Sequence, residues 1–180
     1  DAKLFAAVAK MYADYSVKRD PRRYGGDWGY DSDFSALGAF AGLDLVEHDP
    51  ALTDEERLAM VKVFQRWSHA VLRAKAQTYS WLVAHNHGTF SALGSTMAGL
   101  YFAKYYPEQP DGKWLLDAGK RIFDRQNQSG KVEDDCNGYQ WLTWEHVMRY
   151  AAVTGDLTVI QNGVGRKMAD TAIITMDNNR

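Results

Sequence analysis

The stretch from Thr53 to Leu72, TDEERLAMVKVFQRWSHAVL, is the part of the sequence that decides the fold most clearly. Thr53 and Glu56 have the spacing of a capping box, in which each side chain binds the backbone of the other at the start of a helix. Apolar residues then recur every three or four positions, which is the period of a helix with one buried face. The stretch therefore predicts a long amphipathic helix.

The same helical period occurs in six other segments of the chain. They run from about Ala2 to Lys18, Ser32 to His48, Phe90 to Tyr101, Trp114 to Phe123, Tyr139 to Val153 and Asp156 to Met168. Gly163 and Gly165 weaken the last prediction, because glycine is a poor helix former. No stretch of useful length alternates between apolar and polar residues, so no strand is expected. The sequence predicts an all-α fold.

The links between the predicted helices alternate between short and long. The three long links read DPRRYGGDWGYD, TYSWLVAHNHG and NQSGKVEDDCNG. If consecutive helices are antiparallel neighbours, all three long links lie at the same end of the assembly. The predicted architecture is thus a set of antiparallel helical hairpins. Function is expected at the end with the long links, because binding and catalytic residues concentrate in loops.

The composition limits the classes of partner. The chain has 180 residues, of which 46% are hydrophobic, so it is long enough to bury one core, and a single domain is expected over residues 1–180. Its net charge of -2, with both signs interspersed, leaves no electrostatic footprint for nucleic acid. No apolar run approaches the ~20 residues that a membrane span needs. Neither nucleic acid nor a membrane is expected as a partner.

Aromatic side chains stand beside polar and ionisable ones in the long links. Sugar rings stack their C–H faces on indole and phenol rings, while their hydroxyl groups bind polar side chains. This mixture favours a carbohydrate ligand. The most informative stretch is His85-Asn86-His87-Gly88, which lies just before a predicted helix, where side chains can project into a cleft.

Several motifs in the second half of the chain occur in an order typical of one enzyme family. Asn86-His87-Gly88 leads into the helix that starts Thr89-Phe90-Ser91-Ala92-Leu93, and Tyr139 follows on a later helix. Trp114, the run from Gln126 to Gly130, Glu133 and Thr154-Gly155-Asp156 complete the pattern. With these motifs the chain resembles the heparinase II/III-like and alginate-lyase polysaccharide lyases, whose catalytic domain is an (α/α) toroid. A full toroid has more helices than the seven predicted here, so residues 1–180 are expected to be its N-terminal or another partial portion.

The resemblance implies cleavage of a uronic-acid polymer by β-elimination, with an acidic polysaccharide or oligosaccharide as partner. It implies no cofactor and no metal, and a periplasmic or extracellular location. Asn86 would neutralise the substrate carboxylate, His87 would act as base or second neutralising donor, and Tyr139 would protonate the leaving oxygen. The expected substrate-binding residues are Arg22, Arg23, Trp28, Tyr30, Trp81, His85, Glu133 and Trp141. Of these, the arginines are suited to a uronate carboxylate.

Other functions remain open from the residues alone. Asp31 and Glu133 would be the carboxylate pair of an (α/α) toroid glycoside hydrolase. A helical module that binds glycan without catalysis is a third class. Two imidazoles, those of His85 and His87, would also suit zinc, although no known ligand spacing supports such a site.

Structural roles compete with the functional ones at each position. Asn86 would simply cap a helix, His87 would be a hydrogen-bonded histidine beneath a loop, and Tyr139 would be the first apolar residue of its helix. His69 and His146 lie within predicted helices, where packing or hydrogen bonds between helices are expected. The tryptophans at helical spacing are expected in the core; they are Trp67, Trp114 and Trp144.

Overall fold

The computed structural model describes residues 1–18, 34–73, 75–76, 86–130 and 137–175. Within these ranges the regular structure is helical, and no strand occurs. The all-α fold class is therefore confirmed. Over the same ranges, no helix has the length and apolar character needed to cross a membrane.

Within the described residues, every predicted segment contains helix, and the last segment is divided into two helices. The helices are α1 (Ala2–Lys18), α2 (Ala36–Val46), α3 (Asp54–Trp67), α4 (Asn86–Tyr105), α5 (Pro110–Ser129), α6 (Asn137–Thr154), α7 (Thr158–Gln161) and α8 (Val164–Thr175). A π-helical turn, Ser68–Leu72, extends α3. The prediction of one helix from Asp156 was wrong, because Gly163, with φ 79°, separates α7 from α8. Glycine adopts this left-handed conformation without the strain that a side chain causes.

The start of α3 has the predicted cap. The Glu56 N–H donates to Thr53 Oγ1 at 3.1 Å, and the Thr53 N–H donates to Glu56 Oε2 at 2.9 Å. Arg57, in the first turns of α3, donates to the backbone oxygens of Glu47 and Leu52. These carbonyl groups lie at and after the end of α2, so Arg57 ties the turn between α2 and α3 to the helix that follows it.

Glycines bring α4 and α5 into close contact. A Cβ atom on Gly99 would lie 2.7 Å from the Cγ atom of Leu116 and 2.9 Å from the backbone oxygen of Gly112. A Cβ atom on Gly119 would meet Thr96. Residues later in α5 therefore contact residues earlier in α4, so the two helices are antiparallel.

The next pair is antiparallel as well. Phe123 of α5 stacks on Tyr150 of α6 with ring centroids 4.2 Å apart. Beyond Phe123, at the C-terminal cap of α5, the backbone oxygen of Gly130 accepts from Nε1 of Trp144 at 3.2 Å, and Trp144 precedes Tyr150 on α6. Two antiparallel steps make α4 and α6 parallel, so both helices begin at the same end of the molecule. Antiparallel hairpins are thus found for α4, α5 and α6, while closure of the helices into a toroid stays a prediction.

The described residues form two apolar cores that share α4 and α5, of which α5 contributes Leu115 to the first and Ile122 to the second. The first core contains Phe40 of α2, Phe64 and Trp67 of α3, and Phe102 in the second half of α4. The second contains Leu93, in the first half of α4, with buried residues of α5, α6, α7 and α8. Helix α4 therefore joins the two halves of the molecule.

Two short links meet at the far end of α4. The Tyr101 hydroxyl donates to Glu47 Oε2 at 2.5 Å, and the Tyr106 hydroxyl donates to Glu47 Oε1 at 3.2 Å. Glu47 is buried, and it lies just after α2, whereas Tyr106 lies just after α4. Burial, and then the Glu47 carboxylate, raise the pKa of the Tyr101 hydroxyl. This polar cluster holds the short links together, at the end opposite the start of α4.

Helix α1 differs from its prediction. Its apolar residues were expected to form one buried stripe, but Leu4, Val8 and Met11 are exposed. Phe5 packs against the first core, where its ring covers Gly42 of α2. The reason is geometric: α1 packs against α2 and α3 through the side that carries Ala2, Phe5 and Ala6.

Candidate functional site

The site begins at the first turn of α4. Asn86 is the first residue of this helix and is buried, whereas His87 is half-buried. The ring of Phe34, which precedes α2, has its centroid 5.3 Å from that of His87. Phe34, just before α2, and His87, in the first turn of α4, therefore lie close together.

Helix α6 contributes His146 to this end. Its Nδ1 atom is 2.8 Å from Thr89 Oγ1, and Thr89 Oγ1 lies 3.0 Å from the backbone oxygen of Asn86. The imidazole also packs edge-on against Phe90, with centroids 4.1 Å apart. The expectation of an interhelical hydrogen bond at His146 is confirmed.

Burial sets the charge of His146. The side chain is shielded between α4 and α6, and this desolvation lowers its pKa from 6.5 to about 4. Loss of water disfavours the charged form of an imidazole. His146 is therefore neutral at pH 7, with a hydrogen on only one ring nitrogen.

Polar side chains fill the interior between α4, α5 and α6 at the end where α4 and α6 begin. The buried polar residues are Asn86, Thr89, Gln126, Asn127, Thr143 and His146. Further along, α4 buries Ser91, Ser95 and Thr96 as well as Leu93, whereas α5 and α6 bury apolar residues such as Phe123 and Val147. We call the six polar residues at the start of α4 and α6 and the end of α5 the polar layer. Buried polar groups are costly unless they are hydrogen-bonded.

Part of the polar layer makes no hydrogen bond within the described ranges. The Thr143 hydroxyl and the side-chain amide of Asn127 have no hydrogen-bond partner there. The Asn127 backbone oxygen, by contrast, accepts from Asn162 Nδ2 at 2.6 Å. The layer therefore retains donor and acceptor capacity near the starts of α4 and α6.

Tyr139 lies at the rim of this region. It precedes His146 by seven positions, which is close to two turns, so both residues lie on the same side of α6. Because α4 and α6 are parallel and His146 is level with Thr89, Tyr139 lies beyond the start of α4. Its side chain is 54% exposed. Tyr139 is the first apolar residue of α6, and its side chain is accessible to a ligand.

Trp141 lies on a different side of α6. Two residues correspond to a rotation of more than half a turn, so Trp141 does not share the face of Tyr139 and His146. It is 42% exposed and shares its side of the helix with exposed Met148, seven positions later. Asn86, His87 and Tyr139 thus lie at one end, whereas Trp141 points away from them.

The remaining predicted site residues lie outside the described residues. They are Arg22, Arg23, Trp28, Tyr30, Trp81, His85 and Glu133, together with Asp31 of the hydrolase alternative. Their roles stay predictions. Among the residues that are described, no group of three His, Cys, Asp or Glu side chains is arranged to hold a metal ion.

Several structural expectations are confirmed. His69 Nδ1 is 3.3 Å from Asp111 Oδ2 of α5, and Trp67 is fully buried. Trp114 and Trp144 pack against the two cores. The sequence analysis did not identify Thr89 and Thr143 as parts of the site. A signal was present, because Thr143 and His146 are polar residues at helical spacing on the inward side of α6.

Comparison with known proteins finds no relative: no protein-family model, no curated protein and no solved structure matches the chain.

Proposed function

We propose that the protein is a polysaccharide lyase that cleaves a uronic-acid-containing glycan by β-elimination. One observation carries the proposal: Asn86 and His87 begin α4, Tyr139 lies in the first turn of the parallel helix α6, and the bond between Thr89 and His146 joins the two helices. The residues that the chemistry requires therefore lie at one end of two helices with a common direction. Such an enzyme would act in the periplasm or outside the cell, where polymers of this kind are encountered.

The reaction assigns one task to each residue. A base removes the proton at C5, α to the uronate carboxylate, the C4–O bond breaks, and the departing oxygen takes a proton from an acid. Negative charge grows on the carboxylate, where the Asn86 amide donates a hydrogen bond as an oxyanion-hole group does. His87 acts as base or second donor, and exposed Tyr139 supplies the proton to the leaving oxygen.

The gradient of burial supports this assignment. Asn86 is buried, His87 is half-buried and Tyr139 is exposed, so the three residues extend from the floor of the proposed site to its rim. A hydrogen bond to a charged group is stronger where water is excluded, which suits the carboxylate-binding role of Asn86. The group that protonates the leaving oxygen must be accessible to a polymer, which suits exposed Tyr139 at the rim.

A glycan-binding module without catalysis is the second candidate. Tyr139 and Trp141 are both exposed near the start of α6, and exposed aromatic rings of this kind stack on sugars. Because the two rings lie on different sides of α6, the protein would in that case bind the polymer through one of them and leave it intact.

The test is to incubate the protein with alginate, heparan sulfate, chondroitin, hyaluronan and glucuronan and to follow the ultraviolet absorbance of the C4–C5 double bond that elimination creates. We expect one of these polymers to be cleaved by the wild type. Tyr139→Phe, which removes only the acidic hydroxyl, is expected to lower kcat by roughly a hundredfold or more. Tyr105→Phe is the matched control, because Tyr105 lies at the opposite end of α4.

The outcomes separate the two candidates. Equal activity of wild type and Tyr139→Phe on a cleaved polymer would remove Tyr139 from the mechanism. Absence of the double bond with every polymer, combined with retention on an affinity gel of one of them, would replace the lyase with the binding module.

A further inference from the structure

The hydrogen bonds at the start of α4 define which nitrogen of His146 carries a hydrogen. Thr89 Oγ1 lies 3.0 Å from the backbone oxygen of Asn86 and 2.8 Å from His146 Nδ1. A carbonyl oxygen only accepts, and two oxygens at this distance repel each other unless a hydrogen lies between them. The single hydrogen of the Thr89 hydroxyl is therefore directed at Asn86. His146 must then donate to Thr89 through Nδ1–H.

Tyr139 and His146 belong to the same helix, two turns apart, so their separation is set by the helix itself. Asn86 belongs to α4, and its distance from Tyr139 depends on how α4 sits against α6. The chain of bonds from His146 through Thr89 to Asn86 sets this register at the very turn that carries Asn86 and His87.

We propose that His146 is a positioning residue, whose Nδ1–H acts through Thr89 to fix Asn86 in register with Tyr139. The inference rests on the proposed lyase function and adds to it a residue that does not touch substrate. A displacement of about 1 Å between reacting groups costs up to roughly a hundredfold in rate, so the register of two helices matters to the chemistry.

The chain offers variants that separate positioning from simple loss of stability. Thr89→Val removes the bridging hydroxyl and Thr89→Ser keeps it. His146→Leu removes the donor, whereas the side-chain amide of His146→Asn retains an N–H near the position of Nδ1. Thr96→Val is the matched control: Thr96 is equally buried on α4 and its hydroxyl donates to the Ala92 backbone oxygen at 2.8 Å, but it faces Gly119 of α5.

The first measurement is nuclear magnetic resonance of the full chain with 15N-labelled histidine and asparagine at pH 7. We expect His146 as the Nδ1–H tautomer. We also expect the side-chain amide signals of Asn86 to shift in Thr89→Val and to stay in place in Thr96→Val. An Nε2–H tautomer, or an unmoved Asn86 amide in Thr89→Val, would overturn the proposal.

The second measurement uses a polymer that the wild type cleaves. Thr89→Val and His146→Leu are expected to lose roughly tenfold to a hundredfold in kcat with little change in KM, and Thr89→Ser and His146→Asn to recover most of it. An equal loss in Thr96→Val would show a general effect of instability and contradict positioning. If the wild type cleaves no polymer, the lyase function fails, while the resonance measurement still decides whether His146 fixes Asn86.

Discussion

At the residue scale, titration of the His146 imidazole makes the free energy of unfolding depend on pH. Burial lowers its pKa from 6.5 to about 4 in the folded protein. Between these values the unfolded chain binds a proton that the folded protein does not bind, so acid favours unfolding. The stabilisation is complete above pH 6.5 and is lost as the pH falls toward 4. Its full size is at most roughly 3 kcal/mol.

We therefore expect His146→Asn to lose less stability than the wild type between pH 7 and pH 4.5, because it lacks the titrating group. Urea unfolding followed by circular dichroism at both pH values measures the two losses. Other groups titrate in both proteins, and their effect cancels when the losses are compared. Equal losses of stability in the wild type and the variant would mean that burial does not lower the pKa of His146.

At the scale of helices, the glycines between α4 and α5 decide how closely the pair can pack. A Cβ atom on Gly99 would lie 2.8 Å from the backbone nitrogen of Leu116, so Gly99→Ala must push the helices apart. We expect a loss of about 1–3 kcal/mol in the free energy of unfolding, which exceeds the gain in helix propensity.

Gly38→Ala in α2 is the matched control for this prediction. Gly38 is exposed, and a Cβ atom there would meet nothing within 4 Å. The same substitution should raise stability by up to about 1 kcal/mol, through helix propensity alone. Urea unfolding of both variants gives the comparison, and a stabilised Gly99→Ala would refute close packing of α4 on α5.

At the scale of the whole molecule, α4 couples the two cores, because it contributes Phe102 to the first and Leu93 to the second. We expect one cooperative unfolding transition. Phe64→Ala in the first core and Leu93→Ala in the second should each lower the midpoint of that same transition, with a loss of roughly 2–5 kcal/mol.

Circular dichroism and tryptophan fluorescence provide the two probes, since Trp67 packs in the first core and Trp144 against the second. Coincident curves in both variants are the expected result. Curves that separate in Phe64→Ala, with the second core unfolding later, would mean that α4 does not couple the cores.

The class of fold and the position of most helices follow from the sequence alone, because helix formation depends on nearby residues. The capping pair Thr53 and Glu56 and the period of the apolar residues act over a few positions, and the cap forms where it was predicted. The sequence also singled out Asn86, His87 and Tyr139 as site candidates, from their order along the chain.

Which side of each helix is buried, and which polar residues meet, became clear from the packing of the helices. Thr89, Thr143 and His146 form part of the polar layer because α4 and α6 are parallel and in one register, and no local pattern specifies the register of two helices far apart in sequence. The same reason explains α1, where Leu4, Val8 and Met11 have the spacing of a buried stripe and yet are exposed. Whether a helix face is buried depends on the element that packs against it. Contacts between segments distant in sequence determine which element that is.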